Sequence, residues 1–224
     1  MKLKSMIPFL EEEEIEELFW KVIASEDMKY EGVTVKNLLP YVEEDVLDAG
    51  AIEYFHKGGN VKALLPFMSE EGVDELARRM ADEQESITPL LPFMSDEAVD
   101  EILGNIYLDE GTALSALPFA NEEAIYKAYQ RAYASGWSIS AYLPYMDDDD
   151  VDKAFVRAAR DGRAEKVYYP YVSDDGWHEV MKAYINGEFD FDFDHAYKYM
   201  DDDDIRELFR YEMKKRAREK REDS

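Results

Sequence analysis

The chain has 224 residues, of which 52 are acidic and 26 basic, and its formal net charge of −26 excludes binding of nucleic acid or anionic lipid over most of the surface. Hydrophobic residues make up 46% and aromatic residues 13%, a composition that predicts a folded chain rather than a disordered one. There is no cysteine, which excludes disulfides, cysteine-ligated metal sites and thiol nucleophiles.

Residues 1–10 contain two lysines but no apolar stretch long enough for a secretory signal, and the acids Glu11 to Glu14 follow directly. No segment of the sequence approaches the length needed to span a bilayer. We therefore expect a cytoplasmic protein that does not bind membranes, with neutral or basic partners.

A repeated motif runs along the chain in the order apolar, apolar, proline, aromatic, apolar, acidic cluster. Its prolines are Pro8, Pro40, Pro66, Pro92, Pro118, Pro144 and Pro170, and Lys198 takes their place in the eighth copy. The spacings are 32, then five of 26, then 28 residues. A fixed short period of this kind is typical of repeat proteins. The extra residues 26–31 in the first spacing are expected to form a longer loop or helix end.

Three positions of each copy are apolar, and we predict that they face the core. The position after the proline is always aromatic: Phe9, Tyr41, Phe67, Phe93, Phe119, Tyr145, Tyr171 and Tyr199. The position before the proline is Ile7, Leu39, Leu65, Leu91, Leu117, Leu143, Tyr169 or Tyr197. The seventh position after it is Ile15, Leu47, Val73, Val99, Ile125, Val151, Trp177 or Ile205.

Each copy is predicted to contain a long helix of about four turns, because apolar residues recur along one helical face. Good N-caps stand three residues after the proline: Ser69, Ser95, Asn121, Asp147, Ser173 and Asp201. Glycines near the far end suit a C-cap: Gly58, Gly111, Gly136, Gly162 and Gly187. A shorter segment begins about six residues before each proline, as in residues 112–117, and is predicted to be a short helix that stops at the proline.

These units are too small to bury their own apolar faces and must stack on their neighbours. The sequence therefore predicts an all-α fold, an α-solenoid of eight short-helix/long-helix repeats that forms one domain over residues 1–224. The units begin near residues 1, 33, 60, 86, 112, 138, 164 and 190, and the last helix ends in a basic segment, residues 211–224.

Two copies show the motif most clearly, residues 64–71 (Leu-Leu-Pro-Phe-Met-Ser-Glu-Glu) and residues 90–97 (Leu-Leu-Pro-Phe-Met-Ser-Asp-Glu). The pattern resembles short helical-hairpin repeats, with a Leu-Pro-Phe segment before an acidic cap, of uncharacterised bacterial proteins. The resemblance covers nearly the whole chain and implies the fold alone. The period is shorter than that of ankyrin or tetratricopeptide repeats, whose signature residues are missing.

Acidic clusters follow the prolines, and the third to sixth positions after them hold 23 of the 52 acids. Acids at a helix start are stabilised by the helix dipole, so capping is the simpler interpretation. Four consecutive acids exceed what one cap needs, and stacked helix starts would place them on one edge as an acidic ridge. The densest clusters are Asp147, Asp148, Asp149 and Asp150, and Asp201, Asp202, Asp203 and Asp204.

Tyrosines are unevenly distributed, since 13 of the 16 lie from Tyr107 onward. One interpretation is a wider core in the later units. The alternative is recognition, because tyrosine provides rigid contact area and its hydroxyl is costly to bury without a partner. The candidate partner-binding groove on this hypothesis consists of Tyr142, Tyr168, Tyr169, Tyr197 and His195.

Residues that carry catalysis or bind metals are not assembled by the local sequence. Asp190, Asp192, Asp194 and Asp201 have a spacing similar to that of a calcium loop, but His195 stands where that loop needs glycine. An extended connection with the phenylalanines packed inward is the alternative. The three histidines, His56, His178 and His195, lie in different units without a catalytic companion. We therefore predict no enzymatic activity, no cofactor and no metal.

The function predicted from the sequence is that of a non-catalytic helical-repeat scaffold that binds a protein or peptide partner. The alternative is an acidic nucleic-acid mimic that inhibits a basic nucleic-acid-binding protein. A mimic predicts binding that weakens steeply with salt, whereas a tyrosine groove predicts a shallow dependence.

Overall fold

The structure is a computed structural model that describes residues 3–105 and 108–222. The described chain is mostly helical, which confirms the predicted all-α class. The α-helices are α1 (Glu12–Ala24), α2 (Val35–Leu38), α3 (Glu44–His56), α4 (Glu70–Asp82), α5 (Asp96–Asn105), α6 (Glu110–Ala116), α7 (Glu122–Ser135), α8 (Asp148–Arg160), α9 (Asp174–Ile185) and α10 (Asp202–Glu222).

Regular strand within the described residues is confined to β1 (Lys29–Tyr30) and β2 (Val33–Thr34), an antiparallel pair in which Tyr30 lies opposite Val33. Residues 26–31 were expected to form a loop or helix end, so this hairpin corrects the expectation. The turn between the strands has positive φ angles at Glu31 (48°) and Gly32 (82°), the backbone geometry that a tight hairpin requires.

The predicted N-caps of the long helices are confirmed. The Ser69 hydroxyl accepts a hydrogen bond from the backbone N–H of Gly72 at 2.9 Å, and Asp147 accepts one from Asp150 at 2.7 Å. The same role belongs to Ser95, Asn121, Ser173 and Asp201. These bonds satisfy backbone donors that a helix start leaves without intrahelical partners.

Four of the five predicted C-cap glycines follow a helix with φ near +70°, namely Gly58, Gly136, Gly162 and Gly187. The prediction for Gly111 is wrong, because this glycine lies in the first turn of α6. The reason is the carboxylate of Asp109, which accepts a hydrogen bond from the backbone N–H of Thr112 at 3.1 Å and starts the helix there.

The segment around each proline is a 3₁₀ helix in most copies, as in Leu65–Phe67, Leu91–Phe93 and Leu143–Tyr145. The predicted preceding short helix is α-helical only as α2 and α6 within the described residues, and turns replace it in several other copies. A 3₁₀ helix has three residues per turn, so the residue directly before the proline and the residue two positions after the proline lie on the same side of the helix.

That geometry decides which residues of the motif are buried. Leu65 before the proline and Met68 after the aromatic ring are both buried, whereas Pro66 and Phe67 between them are exposed. The prediction that the aromatic position faces the core is therefore wrong. The seventh position is buried as predicted from Ile15 to Trp177, and Ile205 is half-buried.

The chain divides into two compact units, Met1–Ala128 and Tyr129–Ser224. In the first unit, α3 packs against α1 and α4. Gly50 of α3 permits the contact with α1, because a Cβ atom there would lie 2.6 Å from two ring carbons of Phe19. The single domain predicted for residues 1–224 stays a prediction.

In the second unit, α9 packs between α8 and α10, and its core is aromatic. The rings of Phe155 and Trp177 meet edge to face with centroids 4.7 Å apart, and those of Tyr169 and Trp177 with centroids 4.9 Å apart. Such pairs stabilise a core beyond the area that they bury. The later copies therefore use their larger side chains as core.

Candidate functional site

Consecutive copies of the motif are joined by aspartates that stand eight residues after the proline. In the first unit, the Asp74 carboxylate accepts a hydrogen bond from the Ser95 backbone N–H at 2.9 Å and one from the Ser95 hydroxyl at 2.6 Å. The same pair of bonds joins Asp48 to Ser69, Asp100 to Asn121 and, in the second unit, Asp152 to Ser173. We call Asp48, Asp74, Asp100 and Asp152 the linking aspartates.

Each linking aspartate thus holds the N-cap residue of the next long helix through the same two acceptor oxygens. Sequence reasoning missed the linking aspartates. The signal was present, because an aspartate recurs at this position in four copies, with Glu16, Tyr126, His178 and Arg206 as the departures from it.

His178 stands at the position of the linking aspartates and forms a polar contact of a different kind. Its Nδ1 lies 2.7 Å from the carboxylate of Asp204, which is buried at the start of α10. Lys182 adds an ion pair with Glu207 at 2.6 Å, and this interaction lowers the pKa of the Glu207 carboxyl. The contact between α9 and α10 is therefore partly ionic.

Exposed rings recur at the position after the proline, on 3₁₀ helices in most copies and on turns at Tyr41 and Tyr171. In the first unit the rings of Tyr41, Phe67, Phe93 and Phe119 are 39% to 42% exposed, and in the second unit those of Tyr145 and Tyr171 are 41% and 37% exposed. We call these six residues the ring row. Large apolar side chains that are regularly exposed mark an interaction surface more often than a core.

Each ring of the row is followed, three and four residues later, by exposed acids in the first turn of a long helix. The acids in the first unit are Glu44 and Asp45, Glu70 and Glu71, Asp96 and Glu97, and Glu122 and Glu123. In the second unit they are Asp148 and Asp149, and Asp174 and Asp175. Ring and carboxylates therefore alternate along the sequence at equivalent positions of successive copies.

The eight aspartates of the predicted acidic ridge divide into two groups. Asp147 and Asp201 cap helices, Asp150 pairs with Lys153 at 2.8 Å, and Asp204 contacts His178. The second group, Asp148, Asp149, Asp202 and Asp203, is exposed. Of these, Asp202 and Asp203 lie near Arg206. Within the described chain, Asp148 and Asp149 have no ion pair and are open to a partner.

The tyrosines of the predicted groove are mostly core residues. Tyr142 and Tyr168 are 0% and 1% exposed, so the expectation that they lie at the surface is wrong. For Tyr168 the physical reason is a polar partner inside the core, since the hydroxyls of Tyr129 and Tyr168 lie 2.6 Å apart. Burial raises the pKa of Tyr168 to about 12.

Three residues of the predicted groove nevertheless come together. Tyr169, His195 and Tyr197 line an open cleft of about 510 Å³ in the second unit, with Lys166, Asp194, Lys198 and Tyr199. An adjoining depression of about 240 Å³ shares its wall of Lys166, Tyr169 and His195. Tyr197 is exposed, which corrects its predicted place in the core.

The aspartates that resemble a calcium loop do not converge as ligands. Asp192 instead accepts a hydrogen bond from the Asp194 backbone N–H at 2.9 Å, and Phe193 is buried. Across residues 3–105 and 108–222, no cluster of three or more histidine, aspartate or glutamate side chains is arranged to hold a metal ion. None of the helices there combines the length and apolarity needed to cross a bilayer.

No protein-family model, curated protein or solved structure matches this chain. The ring row, the exposed acids and the cleft are therefore the features of the chain that bear on its function.

Proposed function

We propose that the chain is a non-catalytic helical-repeat scaffold that binds a basic protein or peptide along the part of the ring row in the first unit, Tyr41, Phe67, Phe93 and Phe119. The observation that carries the proposal is the recurrence of a part-exposed ring beside exposed carboxylates at equivalent positions of successive copies. The cytoplasmic location predicted from the sequence is part of this proposal.

The linking aspartates support an array in which successive copies stack in one direction. Each link spans 21 residues and joins one copy to the next through the same two bonds, as at Asp48 with Ser69 and Asp74 with Ser95. Repeats that contact their neighbours in one fixed way build a solenoid with an extended surface. The α-solenoid is therefore the architecture that we propose.

The chemistry of the row selects a basic and partly apolar partner. Aromatic rings supply contact area at low entropic cost and attract lysine or arginine above their faces. Neighbouring carboxylates steer cations toward the rings and exclude acidic chains. Neutral or basic partners were also the expectation from net charge, and the row adds an apolar requirement.

A salt titration tests whether the rings contribute to binding. The probes are two fluorescein-labelled 15-residue peptides with five lysines each, one of five Lys-Phe-Gly repeats and one of five Lys-Ser-Gly repeats, each titrated with the protein at about 50 and about 300 mM NaCl. We expect the ring-bearing peptide to bind more tightly and to lose less affinity with salt, because ring contacts are not screened.

An equally steep loss of affinity for both peptides would mean that only charge is recognised. The acidic nucleic-acid mimic would then replace the scaffold proposal, with Asp148 and Asp149 as its first candidates for contact. A peptide of five Glu-Phe-Gly repeats is the matched control, and we expect it not to bind.

A further inference from the structure

Two departures from the repeat lie at one cleft in the second unit. Lys198 occupies the place that proline holds in the other seven copies, and the spacing before it is 28 residues instead of 26. The lengthened connection carries Asp194 and His195, and both line the cleft with Lys198. A sequence that breaks its own repeat at two positions around one cavity is typical of a functional site.

The two lysines of this cleft lack acidic partners within the described residues, although acids outnumber bases two to one in the chain. Many other lysines and arginines form ion pairs, for example Lys153 with Asp150 and Lys182 with Glu207. Within the described residues, Lys166, His195 and Lys198 form no ion pair. The cleft is lined by two lysines and one aspartate, Asp194, and the ammonium groups of the lysines, with the ring of His195, offer donors to an anionic group.

Aromatic surface lies beside these cations. The rings of Tyr169 and Tyr199 meet edge to face with centroids 5.8 Å apart, and the Lys198 Nζ lies 4.6 Å from the centroid of the Tyr199 ring. Tyr197 is 46% exposed at the same wall. A planar ligand ring finds stacking and edge contacts here.

We propose that this cleft binds a small organic anion whose charged group is carried on a planar ring, the chemistry that nucleotides share with aromatic carboxylates. Lys166, His195 and Lys198 contact the anionic group, and the tyrosines contact the ring. The Asp194 carboxylate accepts from a hydroxyl or amino group of the ligand. A volume of about 510 Å³ fits a molecule of this size.

The proposal does not depend on the partner bound by the ring row, and it is tested with defined small probes. We would titrate the full chain at low salt with AMP, adenosine, inorganic phosphate and indole-3-acetate, and follow binding by calorimetry. We expect AMP or indole-3-acetate to bind with a Kd of about 1 mM or tighter, and adenosine and phosphate at least about tenfold more weakly. Tight AMP alone identifies a nucleotide, and tight indole-3-acetate alone an aromatic carboxylate.

Lys198→Pro is the most informative variant, because it introduces the proline that the seven other copies have at this position. The 3₁₀ helix Tyr197–Tyr199 matches Leu143–Tyr145, which contains Pro144. We expect binding of the favoured anion to weaken about tenfold, and Lys198→Gln to reproduce the loss if the proline variant alters the fold. Lys62→Ala, at an exposed lysine of the first unit, is the matched control and should bind normally.

Three results would overturn the proposal. The first is adenosine or phosphate binding as tightly as the ring-bearing anions. The second is unchanged affinity in a folded Lys198→Gln protein. The third is no saturation by any probe below about 10 mM. Peptide binding along the ring row is unaffected by each of these outcomes, so failure of one proposal is distinguishable from failure of the other.

Discussion

Replacing Asp74 with alanine tests whether the linking aspartates hold successive copies together. The side chain is buried and accepts two hydrogen bonds from Ser95, at 2.9 and 2.6 Å. A hydrogen bond to a charged group contributes roughly 1.5–3 kcal/mol, but removing the carboxylate also removes its own burial penalty. We therefore expect the free energy of unfolding to fall by about 2–3 kcal/mol.

The measurement is urea unfolding at pH 7, followed by circular dichroism. Asp96→Ala, at an exposed first-turn acid, is the matched control and should change the free energy of unfolding by less than about 0.5 kcal/mol. A double-mutant cycle with Ser95→Ala isolates the pair, and we expect a coupling free energy of about 1–2 kcal/mol. Equal effects of Asp74→Ala and Asp96→Ala, with no coupling to Ser95, would refute the linking role.

Three further changes test the fold. Tyr168→Ala should lower the free energy of unfolding by about 3–5 kcal/mol because it empties a core position, whereas Tyr168→Phe should lower it by only about 1 kcal/mol. Weakened partner binding by the alanine variant with unchanged urea stability would instead restore the groove hypothesis. Gly50→Ala should destabilise by about 1–3 kcal/mol through its clash with Phe19, and a stabilised variant would contradict that packing. Hydrogen bonding from Thr112 lowers the pKa of the Asp109 carboxyl. The stability that this carboxylate contributes is therefore present above about pH 4 and lost as pH falls through the lowered value. Thermal melts of Asp109→Asn should show a smaller loss of Tm below about pH 4 than the natural chain, and identical acid profiles would exclude this contribution.

Local sequence signals predicted the helices because caps and hydrophobic period act over a few residues. Ser69 and Asp147 cap helices as their residue type and position indicate. Gly111 failed as a C-cap because Asp109 beside it is a stronger helix start, a competition between two valid signals. Residues 26–31 carry no strand pattern long enough to reveal a hairpin of two-residue strands.

Exposure was harder to predict than helix position. Phe67 stands one residue after its proline and Tyr142 two residues before its own, and the first ring is part-exposed whereas the second is buried. Only the 3₁₀ geometry at the proline separates them, and the sequence pattern alone does not specify a 3₁₀ helix. The cost of burying a tyrosine hydroxyl argued for exposure of Tyr168, but Tyr129 supplies its partner from 39 residues away.

The cleft was predicted in part, since Tyr169, His195 and Tyr197 were named from the sequence and line it together. Lys166 and Lys198 were not recognised as site residues, although the replacement of proline by Lys198 was visible in the repeat. Their significance depends on the absence of an ion pair within the described chain, which is a property of three-dimensional placement.

The binding role of the ring row is tested most directly by removing rings without removing charge. We would measure the affinity of the Lys-Phe-Gly peptide for the variant Phe67→Ala/Phe93→Ala/Phe119→Ala and for the control Phe209→Ala, which removes an exposed ring outside the row. We expect the triple variant to bind at least about tenfold more weakly while its circular dichroism is unchanged, and Phe209→Ala to bind normally. Unchanged affinity in a folded triple variant would contradict the account.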